Sequence, residues 1–289
     1  MSENITNINW YPGHMTKAKR QMQEDIKLID LVIEIVDARI PISSRNPDID
    51  ELGKNKSRIV LLNKADLADP SINNEWRDYF EKKGIICLEI DSRNRSGFNK
   101  IQNMVAIACK DRIERDRKRG ILNRPVRAMV VGIPNVGKST FINSYAGKAC
   151  AKTGNKPGVT KGKQWIKLNK QLELLDTPGI LWPKFDDPQT GLKLAYIGSI
   201  NDDILVMEEL ADNFIKHISK SYPNAIKISY NVEDDYINNI ELIEKIAIRR
   251  GCLLKAGEPD IAKASRLLLD DFRSGKLGRI SLETPNEIL

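Results

Sequence analysis

Apolar residues in the first two-thirds of this chain come in short blocks set between polar, helix-spaced stretches. Leu31-Val32-Ile33-Glu34-Ile35-Val36, Arg58-Ile59-Val60-Leu61-Leu62, Ile85-Ile86-Cys87-Leu88, Ala128-Met129-Val130-Val131 and Leu172-Glu173-Leu174-Leu175 are short, near-continuous aliphatic runs. Such runs read as strands covered on both faces. Gln21 to Ile29, Asn74 to Lys83 and Asn99 to about Arg119 read as helices, and Thr140-Phe141-Ile142-Asn143-Ser144 opens another. The alternation argues for a mostly parallel α/β sheet flanked by helices, with its ligand at the carboxyl ends of the strands. Beyond Pro183 the strand pattern stops. Pro188 to Gly191 opens a helix, and Asp202 to Ser221, Asn239 to Arg250 and Asp260 to Arg273 are amphipathic helices. The expected division is an α/β domain over residues 1–187 and a small all-helical domain over 188–289. No internal repeats or low-complexity tracts interrupt it.

Three short motifs give the α/β part a chemistry. Gly132-Ile133-Pro134-Asn135-Val136-Gly137-Lys138-Ser139 follows a strand and opens a helix, the context a phosphate-binding P-loop requires. Its glycines let backbone N–H groups wrap phosphates, and the helix N-terminus adds partial positive charge. Lys138 would reach the β- and γ-phosphates and take a catalytic role. Asn135, Val136, Gly137, Ser139 and Thr140 would line the nucleotide, and Ser139 would offer its hydroxyl to Mg²⁺. Asp176-Thr177-Pro178-Gly179 lies about forty residues on, after a strand. Asp176 could hold the Mg²⁺ water shell and the Gly179 N–H could meet the γ-phosphate. Asn63-Lys64-Ala65-Asp66 ends a third strand. Asp66 can accept both N1–H and the 2-amino N–H of guanine, a donor pair adenine lacks, so it would select GTP over ATP. Lys64 would lay its stem against the base, and Asn63 would brace neighbouring loops. Ser92 and Arg93, in Ile90-Asp91-Ser92-Arg93, suit a loop whose backbone contacts guanine O6. Thr160 is the preferred mobile-loop threonine for Mg²⁺, with Thr153 as the competing candidate.

The order of these motifs is unusual. The NKxD element lies about seventy residues before the P-loop rather than after it. A circularly permuted P-loop GTPase domain, the same sheet and site with the chain ends moved, accounts for that order.

Composition changes the picture little. The 289 residues suit two domains, 41% hydrophobic content supports real cores, and no apolar run approaches the roughly 20 residues of a membrane span. The amino terminus carries no charged-then-apolar leader, so secretion is not expected. Cys87, Cys109, Cys150 and Cys252 show no CxxC spacing, which fits a reducing cytoplasm and argues against zinc or disulfides. The net charge of +7 is concentrated in Lys110–Arg127 and Lys148–Lys170. Read as clusters bordering the nucleotide site, they could hold an RNA backbone in a nucleotide-dependent way; the alternative is a solvated charged face.

Trp10-Tyr11-Pro12-Gly13-His14-Met15-Thr16-Lys17-Ala18, Asp37-Ala38-Arg39-Ile40-Pro41, the P-loop and Asn155-Lys156-Pro157-Gly158-Val159-Thr160-Lys161, in this permuted order, resemble the YlqF/RbgA group of circularly permuted GTPases. The likeness runs from residue 10 to about 183 and is looser beyond. It implies a GTP hydrolase acting in assembly of the large ribosomal subunit, with precursor particles and rRNA as partners. No DNA or membrane partner is expected, and the protein is expected to be a cytoplasmic monomer. The position that carries a water-orienting glutamine in many GTPases is Ile180, followed by Leu181 and Trp182. The resemblance offers His14 as the catalytic replacement; local packing is its alternative role. It also implies a potassium ion at Asn135, where loop hydrogen bonding is the alternative, and an RNA-facing helical domain. Two other functions remain open on sequence: a GTP-gated RNA-binding module with negligible turnover, and a GTPase acting on another RNA.

Overall fold

A computed structural model of the chain describes residues 20–149, 164–176, 187–233 and 236–287. Among these residues, six strands form one sheet: β1 (Leu31–Asp37), β2 (Ser57–Asn63), β3 (Ile86–Ile90), β4 (Val126–Val131), β5 (Gln164–Lys167) and β6 (Leu172–Asp176). Their spatial order is β3-β2-β1-β4-β6-β5. Every pairing is parallel except the β5–β6 hairpin. The chain winds from β1 outward to β3, then returns to place β4 on the other side of β1. The carboxyl ends of β1 and β4 therefore flank a topological switch point, where doubly wound sheets open a crevice.

β1 is buried at all seven positions, because helices cover both faces of the sheet. Its interior charge, Glu34, is neutralised by Arg45 at 3.0 Å and Arg58 at 3.0 Å. Around the sheet lie α1 (Asp48–Leu52), α2 (Pro70–Lys82), α3 (Phe98–Ala108), α4 (Lys110–Lys118) and α5 (Lys138–Ala146). α2 starts where Asp69 accepts from the Ser71 N–H and Pro70 fills the first turn, and it buries Trp76 and Phe80. The helices α6 (Pro188–Tyr196), α7 (Met207–Ser221), α8 (Ala225–Tyr230), α9 (Asn239–Arg250) and α10 (Ile261–Ser274) follow. Asn238 and Asp260 cap α9 and α10, and Gly251 and Gly275 end them in left-handed conformation. Tyr196, Phe214, Phe272 and Leu268 of these helices share one continuous apolar core with Ile33, Ile35, Val130 and Leu174 of the sheet.

Several elements differ from expectation. Gln21 to Ile29 is not one helix: residues 20–25 are helical and Ile26–Leu28 is a 3-10 turn. The stretch from Asn99 to Arg119 is two helices, broken at Cys109 (φ −103°, ψ 15°), which is buried. The helix expected from Asp202 starts at Met207, because Asn201 caps a separate 3-10 turn over Asp202–Ile204. β5, α1 and α8 were not expected. The buried thiols Cys87 and Cys109 agree with the sequence reading.

Candidate functional site

The three loops at the carboxyl ends of β2, β3 and β4 are held together by side chains of the base motif. Asn63, the last residue of β2, donates through Nδ2 to the Val136 carbonyl at 2.7 Å. Its Oδ1 accepts from the Ser92 N–H at 3.1 Å and the Ser92 hydroxyl at 2.8 Å. One buried amide thus joins the P-loop to the loop after β3. Lys64, in left-handed conformation (φ 59°), sends Nζ to the Asn135 carbonyl at 2.7 Å. The base loop and the phosphate loop, about seventy residues apart in sequence, form one bonded unit.

The phosphate loop itself is tightly constrained. A Cβ on Gly132 would sit 2.5 Å from the Ile35 carbonyl, so β4 can leave beside β1 only through glycine. Gly137 (φ 96°) caps α5, and a Cβ there would collide with the Asn63 amide. Lys138, buried at the start of α5, donates to the carbonyls of Gly132 at 3.0 Å and Ile133 at 3.1 Å, which lays its ammonium along the loop. Ser139 and Thr140 follow in the first turn, half-buried. Asn135 (φ 64°) donates to the Gly198 carbonyl at 2.6 Å, and the Ser199 hydroxyl donates to the Pro134 carbonyl at 2.8 Å. The P-loop is thereby fastened to the end of α6.

Asp66 is exposed beyond Ala65. Partial burial and the neighbouring Asp91 carboxylate raise its pKa, with Arg93 and Arg279 opposing. Asp91 shapes the next loop by accepting from the Arg93 N–H at 2.8 Å and from Asn94 Nδ2 at 2.6 Å. Asp176 ends β6, in register with Val130 of β4, so its backbone lies beside the P-loop strand. His14, Thr160, Gly179, Thr153 and Ile180 lie outside the described residues.

A further constellation went unread in the sequence. Asp37, at the end of β1, receives Arg39 through Nε and a terminal nitrogen at 2.8 Å each, and Lys64 Nζ at 2.9 Å. Burial alone would raise the Asp37 carboxyl, but Arg39 and Lys64 outweigh it and hold it well below the usual carboxylate range. Burial lowers the Lys64 ammonium, with Asp37 pulling the other way. Arg39 also lies 4.8 Å over the Phe272 ring of α10. The segment after α10 then crosses the base loop. Ile280 N–H donates to the Leu67 carbonyl at 3.0 Å, Leu282 N–H to the Arg39 carbonyl at 2.8 Å, and Arg279 to the Ala65 carbonyl at 2.9 Å. Buried Glu283 accepts from Ser43 N–H at 3.1 Å and Ser43 Oγ at 2.6 Å, with Lys193 at 3.4 Å. An Asp closing an apolar strand with Arg two residues on was the available signal for the first cluster. Nothing local marks Arg279 or Glu283.

This arrangement has counterparts among known proteins. A family model described as "50S ribosome-binding GTPase" matches residues 127–242, starting on the P-loop strand and leaving out the base motif that here precedes it. Ribosome biogenesis GTPase A of Bacillus cereus is 48% identical over 280 residues, which are 97% of this chain and 95% of that protein. The protein of that name from Thermotoga maritima is 34% identical over 284 residues, 97% of this chain and 96% of its own length. Among solved structures, a GDP-bound "TM YlqF" aligns with a TM-score of 0.67 at 28% identity, covering 92% of this chain and all of that one. GNP-bound YlqF from T. maritima gives 0.64 at 29%, covering 93% and 98%. A base loop that precedes its phosphate loop in sequence yet bonds to it in space, together with these full-length relatives, places the chain in the ribosome biogenesis GTPase A (YlqF/RbgA) family of circularly permuted GTP hydrolases.

Proposed function

We propose that this GTPase is a nucleotide-dependent switch in assembly of the large ribosomal subunit, engaging precursor particles and their rRNA in the GTP state. The observation that carries the reading is the double tie of the phosphate loop, to the base loop through Asn63 and Lys64 and to the helical region through Gly198 and Ser199. A change at the phosphates has a bonded route to the helices of residues 188–289, the region we assign to rRNA. The names of the relatives support the ribosomal partner.

In this reading Asp66 accepts from guanine, Lys64 covers the base, and the backbone at Ser92 and Arg93 faces O6. Val136 to Thr140 cradle the phosphates, and Lys138 stabilises negative charge as it builds on them. Ser139, at the first turn of α5, and Asp176, ending the adjacent strand, are hard oxygen donors suited to Mg²⁺, with Thr160 completing the set. Bound there, the ion supplies charge neutralisation to the phosphates. Gly179 meets the γ-phosphate, His14 orients the attacking water, and Asn135 contributes to a potassium site.

The test is multiple-turnover phosphate release, alone and with purified large subunits, in potassium and in sodium. Stimulation by the subunit and a potassium preference are expected. Flat, near-zero turnover with tight GTP binding would instead mean a GTP-gated RNA-binding module. Unchanged subunit-stimulated turnover in His14→Ala, with GTP binding intact, would remove His14 from the mechanism.

A further inference from the structure

The basic segment Lys110–Arg127 does not border the nucleotide site. α3 runs back from the carboxyl end of β3, so α4 and the linker after it lie at the amino ends of the strands. Asp30, one residue before β1, fixes this position: it pairs with Arg112 at 3.3 Å and Arg124 at 3.3 Å and accepts from the Arg127 N–H at 2.9 Å. The β5–β6 hairpin turns at the same pole, where the Gln171 carbonyl accepts from the Val126 N–H at 2.8 Å. Between the linker and the hairpin runs an open groove of about 960 Å³.

The charges of this groove are of two kinds. Arg112 and Arg124 are already neutralised, by Asp30 and by Asp116 at 3.2 and 3.6 Å. They serve as scaffold. Arg117, Lys167 and Lys170 are exposed and enter none of the ion pairs found among the described residues. Ile121 and Leu122, 44% and 76% exposed, add apolar surface to the same groove. Beyond the groove's lining, on the same side of β5 as Lys167, Trp165 pairs with Leu175, is 41% exposed and stacks with Arg127 at 5.2 Å. The hairpin turn is held by Asn169 Oδ1, which accepts from the Gln171 and Leu172 N–H groups at 2.8 and 2.9 Å. Unneutralised cations along a groove, next to apolar and aromatic surface, match a strand with charged phosphates and flat bases.

We propose that this pole is a second RNA-contact surface that takes a single-stranded RNA segment, with Arg117, Lys167 and Lys170 on phosphates and Trp165 under a base. It rests on the reading above that the partner is an RNA-rich particle, and it adds a contact independent of bound nucleotide. Among the described residues, no hydrogen bond or ion pair joins Arg117, Lys167 or Lys170 to the loops at the carboxyl ends, so GDP and a non-hydrolysable GTP analogue should leave its affinity unchanged.

The test uses the full chain, a labelled oligouridylate of about 20 nucleotides, and purified large subunits. Arg117→Glu/Lys167→Glu/Lys170→Glu should weaken oligouridylate binding about tenfold or more, equally with GDP and the GTP analogue. It should make the slope of log affinity against log salt shallower by about 2, since each lost single-strand phosphate contact is worth about 0.7. Trp165→Ala should weaken binding about fivefold or more with the slope unchanged. Basal GTP turnover should stay at the wild-type rate in both. Unaltered RNA binding in the triple variant, or weakening only in the GTP state, overturns the proposal while leaving the switch reading intact. Equal displacement of RNA by polyglutamate at matched charge overturns it in favour of an acidic protein partner. A wild-type protein that binds neither oligouridylate nor subunit overturns both readings.

Discussion

The two ends of the sheet solve opposite electrostatic problems. At the carboxyl end of β1, charge is buried and committed: Asp37 and Arg39 are at most 1% exposed and pair with each other, and Asp37 also holds Lys64. At the amino ends, three exposed cations enter none of the ion pairs found among the described residues. A buried network holds one geometry and is costly to break, because removing one partner strands the others without water. An exposed cation keeps a flexible stem and a weak, salt-screened field. The first suits recognition of one base and a phosphate chain. The second suits a polyanion met in many registers.

The largest expected effect probes the buried end. Asp37→Ala leaves Arg39 and Lys64 without their anion, so urea unfolding of the nucleotide-free protein should show a loss of roughly 3–5 kcal/mol. A loss below about 1 kcal/mol would mean that the two cations relax into water and the contrast between the ends is weaker than drawn. Next comes nucleotide choice. Asp66→Asn removes two charge-assisted acceptors for guanine, which should cost about 3 kcal/mol, or roughly 100-fold in GTP affinity. The new amide donor should raise affinity for xanthosine triphosphate. Titration with a fluorescent nucleotide reads both, and retained GTP affinity would take Asp66 out of the base site.

A smaller effect separates two buried acids by their pH response. Asp37 is depressed, so its stabilisation is present above the unfolded carboxylate value near 3.9 and lost as pH falls through its lower folded value. Glu283 is raised, chiefly by burial, so its contribution is complete below about 4.3 and lost as pH rises through the higher folded value. Thermal melts of Glu283→Gln and wild type from pH 4 upward should therefore show the variant gaining relative to wild type as pH rises. Parallel curves would mean that Lys193 and the Ser43 donors keep Glu283 at an ordinary value. The smallest effect belongs to the other end: the triple variant Arg117→Glu/Lys167→Glu/Lys170→Glu should change stability by no more than about 0.5 kcal/mol. A larger loss would show that those cations have structural partners.

The strands buried on both faces were legible because continuous aliphatic runs leave no other economical placement. β5 was not, since an edge strand of four residues with exposed Trp165 and Lys167 carries no such run. The break at Cys109 carries neither Gly nor Pro, so helical spacing reads straight through it. The base and phosphate motifs were legible as strings because their residues are consecutive along the chain. Asp37 and Arg39 were visible only as part of a family likeness, with no role attached to them.

By itself, the sequence determined the sheet class, the permuted order of the motifs and the residues proposed to face a guanine nucleotide, all of which depend on neighbours along the chain. Only the tertiary structure decided that the loops Asn63 braces are the P-loop and the loop at Ser92, that the Lys64 ammonium turns onto the P-loop, that Arg279 clamps the base loop and Glu283 the loop after β1 from more than two hundred residues away, and that Lys110–Arg127 belongs to the opposite pole. Those facts depend on which end of a strand a segment meets and on what packs across the sheet. Chain direction and long-range packing are settled when the core closes, and no local pattern of residues carries them.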